Sequence, residues 1–240
     1  MGDKRVLKAI VCDAGGVLLH PNLAWLSEQL AAEGVERSVD ELHLDYYRMI
    51  AAADAEPSLD PRGVALTTDA VREWMLRRLL GDAVDALRLD ALAPPLARKA
   101  GERFPGEGDL WFWAMPGLVG RLETLRSAGF RLAVASNNDG SLEGQLAAIG
   151  ATELFEVRLD SAVEGVSKPD PELLLRAVRA LGLEPGECLY VGDIDRVDGA
   201  AARAAGMPFA LLDPLRQPRP SSPLLLSSLD AIREHFVAAA

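Results

Sequence analysis

Apolar residues gather along this chain in short unbroken runs. Residues 6 to 13 form the first, and similar runs recur at 131–135, 157–159, 188–191 and 208–212. A run without polar alternation is the pattern of a strand buried on both faces, as in a parallel sheet. Between the runs lie segments with recognisable helix ends. Pro116 opens one that Gly129 closes, Pro169 or Pro171 opens another that stops at Gly182, and a third runs from about Asp198 to Gly206. Strand and helix alternate, so the expected fold class is α/β with a doubly wound parallel sheet.

The rhythm breaks between Pro21 and Asp109, where no strand pattern is found and the sequence reads as helical throughout. The expected organisation is a core of residues 1–20 and 110–240 interrupted by an all-helical domain of residues 21–109. Ser38-Val39-Asp40-Glu41 has the form of a capping box, Thr68-Asp69 can cap a helix carrying Trp74, Met75 and Leu79, and Pro94-Pro95 is placed to start another. Segments of Pro, Gly and acid at 57–63 and 105–109 read as the insert's internal loop and return linker. The proline cluster from Pro214 to Pro223 reads as a surface connection before a last helix, and no internal repeat is found.

Composition narrows the function. A chain of 240 residues that is 49% hydrophobic has ample material for a buried core, and its net charge of −11 counts against a general binder of nucleic acid or of an anionic membrane. An anionic substrate needs only a local positive site. Cys12 and Cys188 both fall in apolar runs, as suits buried thiols in a reducing compartment. Residues 1–8 lack the apolar core of a signal peptide, and no run approaches the roughly 20 apolar residues of a membrane span. A cytoplasmic protein is expected, and nothing in the sequence specifies an oligomeric state.

Four segments carry candidate chemistry, each at the end of an expected strand. In Val11-Cys12-Asp13-Ala14-Gly15-Gly16 a carboxylate ends the first run and glycines follow it. Asp13 either starts a turn or serves as a nucleophile, the route by which a phosphoryl group is held as an aspartyl-phosphate. Gly15 and Gly16 allow a sharp turn and leave the Gly15 carbonyl able to meet a hard cation. Ser136-Asn137-Asn138-Asp139 follows the second core run, and it either caps a helix or offers neutral donors to phosphate oxygens. Lys168, in Ser167-Lys168-Pro169-Asp170-Pro171, is held near the sheet edge by prolines and can balance negative charge there. Gly192-Asp193-Ile194-Asp195-Arg196-Val197-Asp198 spends three acids on one loop, a repulsion that Mg²⁺ would relieve.

The ordered set resembles the haloacid dehalogenase superfamily of phosphohydrolases over nearly the whole chain. The resemblance extends to 201–207 and to the position of the insert, which is similar to the helical cap of subclass I members. It implies a Rossmann-like core in which Asp13 attacks, Ser136, Asn137, Lys168, Gly15 and Gly16 surround the phosphate, and Asp13, the Gly15 carbonyl and Asp193 hold Mg²⁺. Asp198 would support the metal through water or lysine contacts. The cap would close over the substrate, and the partner would be a small phosphorylated metabolite.

Gly15 departs from the phosphatase pattern, which places a general acid/base Asp at this position. Losing such a group commonly costs about 10²–10⁴-fold in rate. His20, at the junction with the insert, is a candidate replacement. Trp111, Phe112 and Trp113 either wall a pocket or pack the hinge. Two alternatives to a phosphatase stay open. One is a catalytically degenerate protein that binds phosphate esters. The other is a phosphonatase or dehalogenase, of which the phosphonatase would need Lys99 as a Schiff-base lysine.

Overall fold

The computed structural model describes residues 5–55, 69–81, 84–103, 113–219, 221 and 223–239. In chain order its strands are β1 (Arg5–Leu7), β2 (Ala9–Cys12), β3 (Arg131–Ser136), β4 (Val157–Asp160), β5 (Cys188–Gly192), β6 (Phe209–Leu212), β7 (Leu224–Leu226) and β8 (Phe236–Ala238). The α-helices are α1 (Leu23–Ala32), α2 (Val39–Ala55), α3 (Asp69–Leu80), α4 (Ala86–Arg103), α5 (Leu118–Ser127), α6 (Leu142–Ala148), α7 (Ser161–Glu164), α8 (Glu172–Ala180), α9 (Ala200–Ala204) and α10 (Ile232–His235). The chain forms two compact units, Met1–His20 with Ala114–Ala240 and Pro21–Trp113. No helix among the described residues is long and apolar enough to cross a membrane.

The first unit is a parallel six-stranded sheet in the order β4-β3-β2-β5-β6-β7. Successive strands step outward from β2 through β3 to β4. The chain then returns to the other side of β2 and continues through β5, β6 and β7. The winding therefore reverses between β2 and β5, and the crevice at such a reversal is where doubly wound sheets bind ligands. The pleat explains the unbroken apolar runs. Ala9, Val11, Ala133, Ala135, Cys188 and Tyr190 pack on one face against Leu173, Leu174, Ala177 and Val178 of α8 and Ala201 and Ala202 of α9. Ile10, Cys12, Leu132, Val134, Leu189 and Val191 alternate to the opposite face and are also buried.

The structure refines the expected elements of this unit at two places. The first run breaks at Lys8: β1 pairs with β8 in a separate two-stranded sheet, while β2 joins the main one. Lys8 still links the strands, since its N–H donates to the Glu187 carbonyl at 2.8 Å and its carbonyl accepts from Arg131 N–H at 3.0 Å. After the proline cluster the chain does not pass straight to a last helix, because β7 intervenes and adds an edge strand along β6. The start of the connecting loop is fixed by buried Asp213, whose carboxylate accepts from the N–H groups of Leu215 and Gln217, both at 2.9 Å, and pairs with Arg219 at 3.2 Å.

In the helical unit, Ser38 and Glu41 form the reciprocal capping box at the start of α2, with Ser38 N–H donating to Glu41 Oε2 at 2.8 Å and Glu41 N–H to Ser38 Oγ at 3.2 Å. Pro94 and Pro95 do not start a helix but lie inside α4. A buried stripe of Leu92, Ala93, Leu96, Ala97 and Ala100 runs on through the prolines, and α4 packs along α3. Tertiary burial outweighs the hydrogen bonds that the prolines cannot make. Met75 and Leu79 lie on the buried side of α3. Thr68 and the segments 57–63 and 105–109 lie outside the described residues.

Candidate active site

The carboxyl ends of β2 and β5, the two strands flanking the reversal, deliver Asp13 and Asp193 side by side. Asp13 N–H donates to the Val191 carbonyl at 2.8 Å, which extends the ladder one residue beyond β2. The turn after it is compact: the Ala14 carbonyl accepts from the N–H groups of Val17, Leu18 and Leu19, and Gly16 sits at φ +73°, a left-handed conformation suited to glycine. Beyond β5 the chain makes a π-helical turn over Asp195–Gly199, which points Asp198 back toward the strand end. One Asp198 oxygen, Oδ2, accepts from the N–H groups of Asp193 at 3.1 Å and Ile194 at 3.0 Å.

Lys168 joins these loops. Its buried ammonium lies 2.9 Å from Asp13 Oδ2 and 2.7 Å from Asp198 Oδ1, and it donates to the Tyr190 hydroxyl at 2.7 Å. The main chain of Lys168 is pinned by Asn137, whose side-chain N–H donates to the Lys168 carbonyl at 2.9 Å while its oxygen accepts from Lys168 N–H at 2.8 Å. Buried Ser136, the last residue of β3, donates its hydroxyl to Asp13. Asp13 Oδ1 accepts from Ala14 N–H at 2.8 Å.

Charge in this pocket is unbalanced. Carboxylate oxygens of Asp13, Asp193 and Asp198 all lie within 4.8 Å of one another, and all three residues are buried. Burial pushes the Asp13 carboxyl up from its ordinary value; Lys168 opposes the shift, and the Asp198 charge adds to it. Burial would by itself discharge Lys168, but the Asp13 and Asp198 charges outweigh it and hold the ammonium above the usual lysine value. Burial and the same two carboxylates push the Tyr190 phenol well above its ordinary value, so it is a neutral hydroxyl. Three acids around one ammonium leave excess negative charge out of water, which an oxygen-ligated hard cation such as Mg²⁺ would neutralise. Close spacing and an all-oxygen donor set fit such an ion.

The remaining sequence candidates differ in burial and in partners. Asp195 lies on the same turn but points away from the cluster, pairing with Arg203 at 2.7 Å and accepting from the Ser221 hydroxyl. Gly15 is partly exposed, and a Cβ built there meets nothing within 4 Å. His20 is buried, and the three-carboxylate cluster takes in no histidine among the described residues. Lys99 is an exposed lysine of α4, 3.6 Å from Glu33, and so lacks the desolvation that activates a Schiff-base lysine. Trp113 is half-buried, and Trp111 and Phe112 lie outside the described residues. Two residues escape a reading of motifs. Tyr190 is hidden in an apolar run. Asp160, at the end of β4, fixes the loop after Ser136 by accepting from the N–H groups of Gly140 at 3.0 Å and Leu142 at 3.2 Å.

Carboxylates and a buried lysine converge at the reversal of a doubly wound parallel sheet, so the fold is α/β and the cluster could hold a hard cation. The family model described as haloacid dehalogenase-like hydrolase matches residues 7–206, and the chain belongs to that family. It is 40% identical over 93 residues to the human haloacid dehalogenase-like hydrolase domain-containing protein 3, covering 39% of this chain and 37% of that protein. It is 33% identical over 159 residues to a phosphoserine phosphatase of Thermus thermophilus, covering 65% of this chain and 63% of that protein. A plasmid-encoded phosphoglycolate phosphatase of Cupriavidus necator is 39% identical over 98 residues, covering 40% of this chain and 42% of its own. The chain thus spans between about a third and two thirds of these curated relatives.

Among solved structures, a phosphatase of this family from Thermococcus onnurineus superposes with a TM-score of 0.57 at 20% identity, covering 95% of this chain and 97% of its own. A 2-haloacid dehalogenase from Pseudomonas syringae does so with a TM-score of 0.54 at 22% identity, covering 95% and 97%. A phosphatase and a dehalogenase fit alike, so these likenesses show the fold alone.

Proposed function

We propose that the protein is a Mg²⁺-dependent phosphohydrolase acting on a small organic phosphate monoester through an aspartyl-phosphate on Asp13. The observation that carries this reading is the meeting of Asp13, Asp193, Asp198 and Lys168 at the sheet reversal. The phosphatase names of several relatives support the same class.

Asp13 attacks phosphorus as the bond to the ester oxygen breaks and the departing alkoxide takes a proton from solvent; water then attacks the acyl phosphate, gives a proton back to solvent, and releases inorganic phosphate and the Asp13 carboxylate. Lys168 stays charged and offsets the phosphoryl oxygens where little water competes. The Ser136 hydroxyl and the main-chain N–H groups of Gly15 and Asn137 would supply neutral donors. Asp13, Asp193 and the Gly15 carbonyl would hold Mg²⁺, with Asp198 acting through Lys168. When bound, the ion would supply charge neutralisation at the phosphoryl group. The ligand would be a small phosphorylated metabolite in the cytoplasm.

The open space at Gly15 favours a second reading, a protein that binds phosphate esters but turns them over slowly, because no side chain there can exchange protons. Hydrolysis of a panel of phosphate monoesters, with Mg²⁺ and with EDTA, separates the two. The phosphohydrolase reading expects metal-dependent turnover that Asp13→Asn lowers by about 10³-fold or more. A folded wild type that turns over nothing, yet melts at higher temperature with Mg²⁺ and tungstate, would replace it with the binding reading.

A further inference from the structure

The third partner of Lys168 lies outside every motif. β5 places the Tyr190 ring on the α8 face of the sheet, in the apolar cluster with Val11, Ala133, Ala135 and Leu174. The two alanines of β3 leave room for an aromatic ring beneath the sheet edge. A hydroxyl set in such surroundings must find partners. Tyr190 Oη accepts from Lys168 Nζ at 2.7 Å and donates to the Ala135 carbonyl at 3.0 Å, one residue before Ser136.

An ammonium has three N–H donors, and Lys168 meets three acceptors: Asp13, Asp198 and Tyr190. The first two are carboxylates, which attract a cation over a wide range of directions. The third is a neutral hydroxyl oxygen whose nearer acceptor is the Ala135 carbonyl at 3.0 Å, with Asp198 Oδ1 more distant at 3.5 Å. It ties the ammonium to the backbone of β3 one residue before Ser136.

We infer that Tyr190 is a positioning residue of this site: its hydroxyl holds Lys168 at a fixed point relative to Asp13 and the end of β3, so that the ammonium meets a bound phosphoryl group instead of settling between the carboxylates. The inference rests on the phosphate-site reading given above. It also separates the hydroxyl from the ring. Lys168 Nζ lies 5.4 Å from the ring centroid, and Phe209 stacks on the ring at 6.4 Å with an interplanar angle of 21°. Both contacts survive in Tyr190→Phe, which removes only the oxygen. That variant leaves one buried N–H of Lys168 and the Ala135 carbonyl each short of a partner, and frees the ammonium to move toward Asp198.

The test pairs an affinity with a position. Tungstate binding is titrated calorimetrically in Mg²⁺ for the wild type and Tyr190→Phe, and crystal structures of both are determined with tungstate. The expected result is a loss of affinity of about tenfold or more together with a shift of Lys168 Nζ of about 1 Å, since misplacements of that size have such effects. A merely structural role would not move Nζ. Unchanged affinity overturns the inference, and so does weaker binding with Nζ unmoved. A wild type that binds no tungstate overturns the phosphate-site reading and the role of Tyr190 with it. Should Tyr190→Phe fail to fold, 3,5-difluorotyrosine at position 190 keeps the shape, weakens the oxygen as an acceptor and is read by the same two measurements.

Discussion

The loop after β2 and the loop after β5 both follow a central strand with an aspartate, yet they use glycine in opposite ways. After β2, a Cβ added at Gly15 would meet nothing within 4 Å. At the end of β5, a Cβ added at Gly192 would lie 2.4 Å from both Cβ and Cγ of Asp198, and one at Gly199 would lie 2.1 Å from Asp195 Oδ1. The first loop leaves space beside its carboxylate. The second is closed so tightly that the approach of its own side chains demands glycine. One glycine stands beside open space, whereas the others let the backbone press against the acids and hold them still.

Substitution can break this contrast at its stronger end. Gly192→Ala has to displace Asp198, so it should cost roughly 1–3 kcal/mol in chemical denaturation, the usual penalty for overpacking. It should also lower any phosphatase activity by about 10²-fold, since the partner of Lys168 moves with it. Wild-type stability and turnover in this variant would show that the turn has slack. At the open loop the expected sign reverses. A Cβ at position 15 meets nothing within 4 Å, and Gly15→Asp introduces a proton-exchanging group beside Asp13, the proposed nucleophile, so kcat on alkyl phosphates should rise about tenfold or more. A fall would show that the space is needed by the substrate. Gly15→Ala tests the room alone and should change stability by less than about 0.5 kcal/mol.

The smallest effect is expected inside the two strands that lead into these loops. Burial and then the Asp13 charge push the Cys12 thiol up to about 12, and burial and then Glu187 push Cys188 up to about 11. Ellman's reagent at pH 8 should therefore modify neither cysteine in the native protein and both after denaturation. Rapid reaction of Cys188 would show that β5 opens, and the tight loop with it.

Much of the first unit was legible because a strand buried on both faces leaves an unbroken apolar run, and because the fold places the ends of those runs along one edge. Asp13, Lys168, Asp193 and Asp198 could be nominated together on that ground. What escaped depends on packing. The chain changes sheets at Lys8 without any turn residue to announce it. Strands β7 and β8 have three residues each, too few to show a period. Pro94 and Pro95 carry a start signal that the buried stripe of α4 overrides. Asp195 and Asp198 differ only in direction, which the π-helical turn sets. Tyr190 reads as one more strand aromatic until its oxygen is seen to face Lys168.

The reciprocal bonds between the Asn137 side chain and the Lys168 main chain amount to one rung of sheet ladder made by an amide in place of a peptide. That rung stitches together two segments 31 residues apart in sequence, and it addresses residue 168 through its backbone. The loop therefore has one anchor that does not pass through the Lys168 side chain. Lys168→Met would remove the charge and leave this rung in place, while exchanging Asn137 for Asp would set a carboxylate against the Lys168 carbonyl and unpick the seam itself.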